Sequence, residues 1–186
     1  DPEGDFAPEP FHTPGRKTID QVAEFTGLPE TSQIKSLVMV ADGALVLALV
    51  RGDHSLSETK FAGAVGAAEV RPAHPDEIRQ AFGADAGSLG PVGVKGVRVL
   101  ADLALSGRRN MICGANRDDY HLRHVTPGKD FQAEWFDLRQ AVQGDACKSC
   151  GTPLNLTKTV EIGHIFKLGY KYSSSMGLRV LNAEGA

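Results

Sequence analysis

The stretch Gly87-Ser88-Leu89-Gly90-Pro91-Val92-Gly93 sets the firmest limit on how this chain can fold. Three glycines and a proline within seven residues exclude both a helix interior and a central strand. A helical pattern at 76–82 precedes the stretch and a strand-like run at 97–101 follows it, so it is a loop between two elements. Few Cβ atoms shield its main chain, and a ligand can come close to its N–H and C=O groups. Loops of this make-up suit phosphates and ribose hydroxyls. They serve equally well as tight connections, and the loop alone does not separate the two.

The remaining elements can be read in order. Residues 1–14 carry four prolines and four acidic residues and read as an unstructured lead-in linker. Thr18 and Gln21 form a capping box for a helix that Gly27 and Pro29 end. Ile19, Val22, Ala23 and Phe25 give that helix its apolar face. Two Val- and Leu-rich runs, 33–40 and 44–51, flank Asp42-Gly43, a strong hairpin signal. Helical patterns follow at 57–65 and 75–82. Strands are predicted at 97–101, 110–113, 120–125, 160–168 and 179–181, and 135–142 is mixed. The irregular alternation predicts an α+β domain over 15–186, with a mixed sheet rather than a doubly wound one.

Several side chains could carry chemistry. Lys35 interrupts an apolar strand on the face of Leu37 and Met39, where an ammonium needs a polar or anionic partner. A strand-end lysine reaching water gives the same pattern. His164 sits similarly in Ile162-Gly163-His164-Ile165-Phe166, as a core histidine or a site residue. Asn116, Asp118, His121 and His124 cluster about a predicted hairpin, where solvated turn residues are also common. No Gly-x-Ser-x-Gly elbow, His-Glu-x-x-His or Walker loop is present. Cys147-Lys148-Ser149-Cys150 has the form of a zinc knuckle, yet it supplies two of the four ligands that a structural zinc needs. Cys113 and the histidines have no spacing to complete it. A vestigial ribbon or a reduced surface hairpin fits as well, and no metal is expected.

Composition narrows the class of function. A net charge of −3 argues against gripping nucleic acid by charge alone. The apolar run 45–50 is too short to span a bilayer, and no signal peptide is visible. Three cysteines do not make a secreted disulfide framework, so the chain reads as cytoplasmic. It lacks an initiator Met and reads as a piece of a larger protein.

Taken in order, these residues resemble the insertion (editing) domain of bacterial-type prolyl-tRNA synthetases, related to free-standing aminoacyl-tRNA deacylases. The matching pieces begin with Thr13-Pro14-Gly15, Lys17-Thr18-Ile19, Ile34-Lys35-Ser36-Leu37 and Val50-Arg51-Gly52-Asp53-His54. They continue with the glycine loop, Cys113-Gly114-Ala115-Asn116, Tyr120-His121 and Gly163-His164-Ile165-Phe166-Lys167-Leu168-Gly169. Each is weak alone; the ordered set is specific and runs from Thr13 to the C-terminus.

The resemblance implies a mixed, partly closed sheet flanked by helices, and hydrolysis of alanine wrongly esterified to proline tRNA. It implies a small pocket formed by Ile19, Val22 and His164 beside Lys35. Gly87, Gly90 and Pro91 would supply the loop that holds the terminal adenosine and ester carbonyl, with Ser88 and Leu89 between them. The implied partners are the acceptor end of tRNA(Pro) carrying alanine and the rest of the synthetase, with neither membrane nor DNA. ATP and magnesium belong to that parent enzyme, and no cofactor is implied here. Tyr170 stands where the family usually has a small Thr, and Val22 where it often has Leu. A non-catalytic module binding the tRNA acceptor end and a free-standing deacylase are the alternative readings.

Overall fold

Asp42 and Gly43 both take positive φ, 45° and 85°, which is the backbone a two-residue hairpin turn needs to match strand twist. The hairpin they close is the centre of the fold. In a computed structural model, described over residues 3–185, the chain divides into two compact units, Asp1–Ala141 and Val142–Ala186. The sequence pattern had predicted one domain over 15–186.

The first unit begins with β1 (Glu9–His12), α1 (Ile19–Thr26), β2 (Ile34–Ala41) and β3 (Ala44–Arg51). It continues with α2 (Glu58–Val65), β4 (Val70–Pro72), α3 (Pro75–Phe82) and β5 (Arg98–Asp102). It ends with β6 (Met111–Gly114), β7 (Tyr120–Val125) and β8 (Glu134–Phe136). Five strands join in the order β4-β2-β3-β5-β8 and three in the order β1-β7-β6. The β3–β5 and β5–β8 pairs are parallel and the rest antiparallel. This is the α+β, mixed-sheet class that the pattern predicted.

The central hairpin is buried on both faces, which explains its unbroken apolar sequence. Leu47 and Leu49 pack with Ile34, Val38, Leu105 and Met111 on one side. Val46, Ala48 and Val50 pack with Met39, Phe61 and Leu100 on the other. Successive residues of β3 thus feed two cores, as the period of two requires.

One edge of β2 is divided. Its far end pairs with β4 at Met39, Val40 and Ala41, and the Ala73 N–H adds a bond to the Val38 carbonyl. Next to its near end, a parallel bridge between Gln33 and Ile112 joins the chain to the other sheet. Among the described residues, 34–37 make no ladder pairing on that edge, and the strands part there.

Two differences from expectation concern the chain ends. Glu9–His12, inside the expected linker, forms β1 because its residues find a partner strand in β7. Residues 160–168 and 179–181 are not strands in the second unit. Alternating apolar residues form a strand only when a ladder partner and a covering layer are supplied; here Val160, Ile162 and Ile165 are 86%, 99% and 100% exposed. The second unit instead carries a small turn-closed loop, with Cys147 N–H bonded to the Thr152 carbonyl, and a short α4 (Lys171–Ser175).

Candidate active site

Where β2 and β6 part, a cavity of about 360 Å³ opens. Gln33, Ile34, Lys35 and Ser36 form one wall, and Ile112, Cys113 and Gly114 the facing one. The N-terminal turn of α1 forms a third wall. Thr18 Oγ1 accepts from the Gln21 N–H at 3.3 Å, while Gln21 Oε1 accepts from the N–H groups of Lys17 and Thr18. This reciprocal cap fixes the first turn and presents Ile19 and Val22, three apart, to the cavity. Gln33 Nε2 donates to the Ile19 carbonyl at 3.0 Å and ties the helix to the head of β2.

The glycine loop closes the fourth side. Gly87 and Leu89 line the cavity, and among the described residues their N–H groups make no hydrogen bond. Gly87 has φ of 101°, and a Cβ there would meet the Cβ of Lys17 at 2.6 Å. Asn116 clamps the next turn from below. Its Oδ1 accepts from the Gly90 N–H at 2.9 Å, and its Nδ2 donates to the Gly90 and Val92 carbonyls. Its own N–H donates to the Ser88 carbonyl at 2.8 Å. Asp118 anchors the approach to the loop, accepting from the Asp85 N–H and from Arg79. Ser88, Gly90 and Pro91 are buried behind the loop rather than on the cavity wall. Thus Asn116 and Asp118 hold the loop in shape without lining the cavity.

Lys35 is half-buried, and its Nζ donates to the His54 carbonyl at 2.7 Å. The turn that offers this carbonyl is itself braced. Arg51 forms two bonds to the Asp53 carboxylate, at 2.6 and 2.8 Å, and its Nη2 donates to His54 Nε2 at 2.9 Å. The Arg51 guanidinium holds the Asp53 carboxyl below the usual range.

The histidine in this cavity is His121. Its Nδ1 shares a proton with Thr13 Oγ1 at 2.7 Å, and both residues are buried. Burial pushes the His121 pKa down, partly opposed by the Gly87 main chain; burial also lowers that of His54. The unfolded chain therefore takes up protons before the folded one does. Stability from both groups is present above about pH 6.5 and is lost as pH falls toward and through their lowered folded values. Thermal midpoints should fall from pH 7.5 to 5.5, with a flatter slope in the double variant His54→Gln, His121→Asn.

His164, expected beside Lys35, belongs to the second unit. It is solvent-facing and bonded to Glu161 Oε1 at 2.8 Å. Without a strand at 160–168, nothing turns it into a core. Cys147 and Cys150 are free thiols there, and Cys150 bonds to Thr152 Oγ1, which lowers its pKa. Among the described residues no cluster of three or more metal-ligating side chains occurs. Sequence reasoning missed Thr13, Gln33, Ser36 and Cys113 as parts of the site. The quoted pieces Thr13-Pro14-Gly15, Ile34-Lys35-Ser36-Leu37 and Cys113-Gly114-Ala115-Asn116 offered a signal for Thr13, Ser36 and Cys113, and nothing in the sequence pointed to Gln33.

Comparison with known proteins adds three findings. A model of the aminoacyl-tRNA editing domain matches residues 13–131. Proline–tRNA ligase of Anaeromyxobacter sp. (strain K) is 48% identical over 96% of this chain and 32% of its own length. That of Acidobacterium capsulatum is 44% identical over 98% of this chain and 34% of its own. The chain therefore spans about a third of these curated relatives. Among solved structures, a candidate trans-editing enzyme for prolyl-tRNA synthetase aligns with a TM-score of 0.64 and 26% identity. That alignment covers 72% of this chain and 87% of the other.

Proposed function

This chain belongs to the aminoacyl-tRNA editing domain family, and from that premise we propose that it hydrolyses alanine ester-linked to tRNA(Pro), as the editing part of a proline–tRNA ligase. The rest of such a ligase would hold the tRNA body and carry out the ATP- and magnesium-dependent activation. The implied compartment is the cytoplasm.

The carrying observation is the cavity, which joins a small apolar wall, Ile19 and Val22, to two unbonded N–H groups on Gly87 and Leu89. A site sized for proline cannot exclude the smaller alanine, since a missing methylene is worth only about 1–3 kcal/mol. A second cavity that admits alanine and excludes proline corrects the error. In this reading the alanine methyl rests on Ile19 and Val22. The N–H groups of Gly87 and Leu89 face the carbonyl oxygen as it gains negative charge. Water attacks the ester carbon, the bond to the ribose oxygen breaks, and alanine leaves as the free acid. Lys35, held on the His54 carbonyl, orients the ribose or terminal phosphate, and the Thr13–His121 pair fixes the adenosine end. Gly90 and Pro91 keep the loop in place through Asn116. Orientation and electrostatics then carry the rate without a side-chain nucleophile.

The test is hydrolysis of alanyl-tRNA(Pro) beside prolyl-tRNA(Pro) by the purified chain. Release of alanine alone supports the reading; tRNA binding without hydrolysis of either supports a non-catalytic acceptor-end module. Cavity size gives a sharper check. Val22→Ala enlarges the small wall and should raise prolyl-tRNA(Pro) hydrolysis by about 10-fold or more, the scale at which pockets discriminate single methylenes. Unchanged discrimination would place the sieve elsewhere.

A further inference from the structure

Just outside the cavity, two chain segments are tied into one rim. The Thr13 N–H donates to the Asp119 carbonyl at 2.8 Å, and the Gly15 N–H to Asp119 Oδ1 at 2.9 Å. The cross-strand pair His12 and Tyr120 stands on this rim, one residue before Thr13 and His121 respectively. Their rings lie 5.0 Å apart at 39°, and the Arg117 guanidinium sits 3.9 Å from the centre of the Tyr120 ring. His12 and Arg117 are exposed. Neither Arg16 nor Arg117 has a carboxylate partner among the described residues. Lys17, on the same rim, lines the cavity.

Two rings with a guanidinium on the face of one of them, and a second arginine nearby in the chain at Arg16, suit one ligand well in a chain of net charge −3. Successive bases of a single strand stack on aromatic and guanidinium faces, while cations follow the phosphates. We propose that the His12–Tyr120–Arg117 stack is a platform for the unpaired nucleotides that precede the terminal adenosine of the substrate RNA. Arg16 and Lys17 meet the phosphates on the way from platform to cavity. His12 and Tyr120 occupy the face of the β1–β7 pair opposite Phe11 and His121. The strand therefore leaves the cavity over the 13–17 segment and turns onto that face. The proposal rests on the editing reading above, and it explains how a chain of acidic balance gains hold of an RNA end.

The experiment compares two substrates that differ only in those nucleotides, alanyl-tRNA(Pro) and 3′-O-alanyl-adenosine. The double variant His12→Ala, Arg117→Ala should raise KM for alanyl-tRNA(Pro) about tenfold at unchanged kcat, the loss expected for one unstacked base. It should leave both parameters for alanyl-adenosine as in the parent chain. An equal loss on both substrates, or no change on either, overturns the platform. Binding of an uncharged RNA minihelix ending in CCA needs no hydrolysis and separates the two readings. A Kd weakened about tenfold by the double variant supports the platform even if the chain hydrolyses nothing, and an unchanged Kd overturns it.

Discussion

Replacing Lys35 by alanine should lower kcat/KM for alanyl-tRNA(Pro) by roughly 100-fold, the scale set by losing one pre-aimed donor. Lys35 stands in β2, opposite Val50, with its ammonium on the His54 carbonyl. That carbonyl belongs to a turn closed by Arg51 and Asp53, so the charge is aimed before any ligand arrives. Lys35→Arg keeps the charge but spreads it over a broad fork, and should recover only part of the rate. Both variants should retain the parent's far-ultraviolet spectrum, because β2 is held by its ladder to β3 and not by this side chain. A rate within a few-fold of the parent in Lys35→Ala would remove the lysine from the chemistry.

The second large effect is expected at Gly90 and Gly114, which pack back to back where the glycine loop lies on β6. A Cβ on Gly90 would drive into the Gly114 carbonyl oxygen, and a Cβ on Gly114 would drive into the main chain of Ser88 and Leu89. These obstacles are backbone and cannot swing aside. Gly90→Ala and Gly114→Ala should each cost about 3 kcal/mol of stability and abolish hydrolysis, since either moves the loop N–H groups. Gly63 is the control: it is exposed in α2 with open space where a Cβ would go. Gly63→Ala should stabilise by about 0.5–1 kcal/mol, through lost freedom of the unfolded chain. Chemical denaturation of the three variants checks the contrast.

What could be read before the structure was known follows from which physics is local. The Thr18–Gln21 cap, the Asp42-Gly43 turn and the Val- and Leu-rich runs are specified within a few residues, and the elements stand where those signals put them. β1 and β8 were not legible, because each is three or four residues long and exists only through a partner distant in sequence. The same reason cuts the other way at 160–168, where an apolar alternation lacks a ladder to join. In the cavity, the glycine loop was evident from composition, while Ile19 and Val22 came from the family resemblance, with which their helical spacing agrees. That His121 lines it was not evident. His121 reaches the cavity because β7 pairs with β1 and brings it to Thr13, 108 residues away in sequence, and no local pattern encodes that meeting.

The parting of β2 from β6 has a consequence for anyone wishing to block the site. On the proposed reading, an inhibitor that only fills the apolar wall would compete with alanine on alanine's terms, within a narrow range of size. The unpaired edge along 34–36 offers something different, a short run of strand backbone that faces the cavity. A ligand with an extended amide edge can complete that ladder as a strand would, and the grip would lie in main-chain atoms. Resistance by point substitution is then hard to obtain, because side-chain changes at Lys35 or Ser36 leave the backbone edge in place.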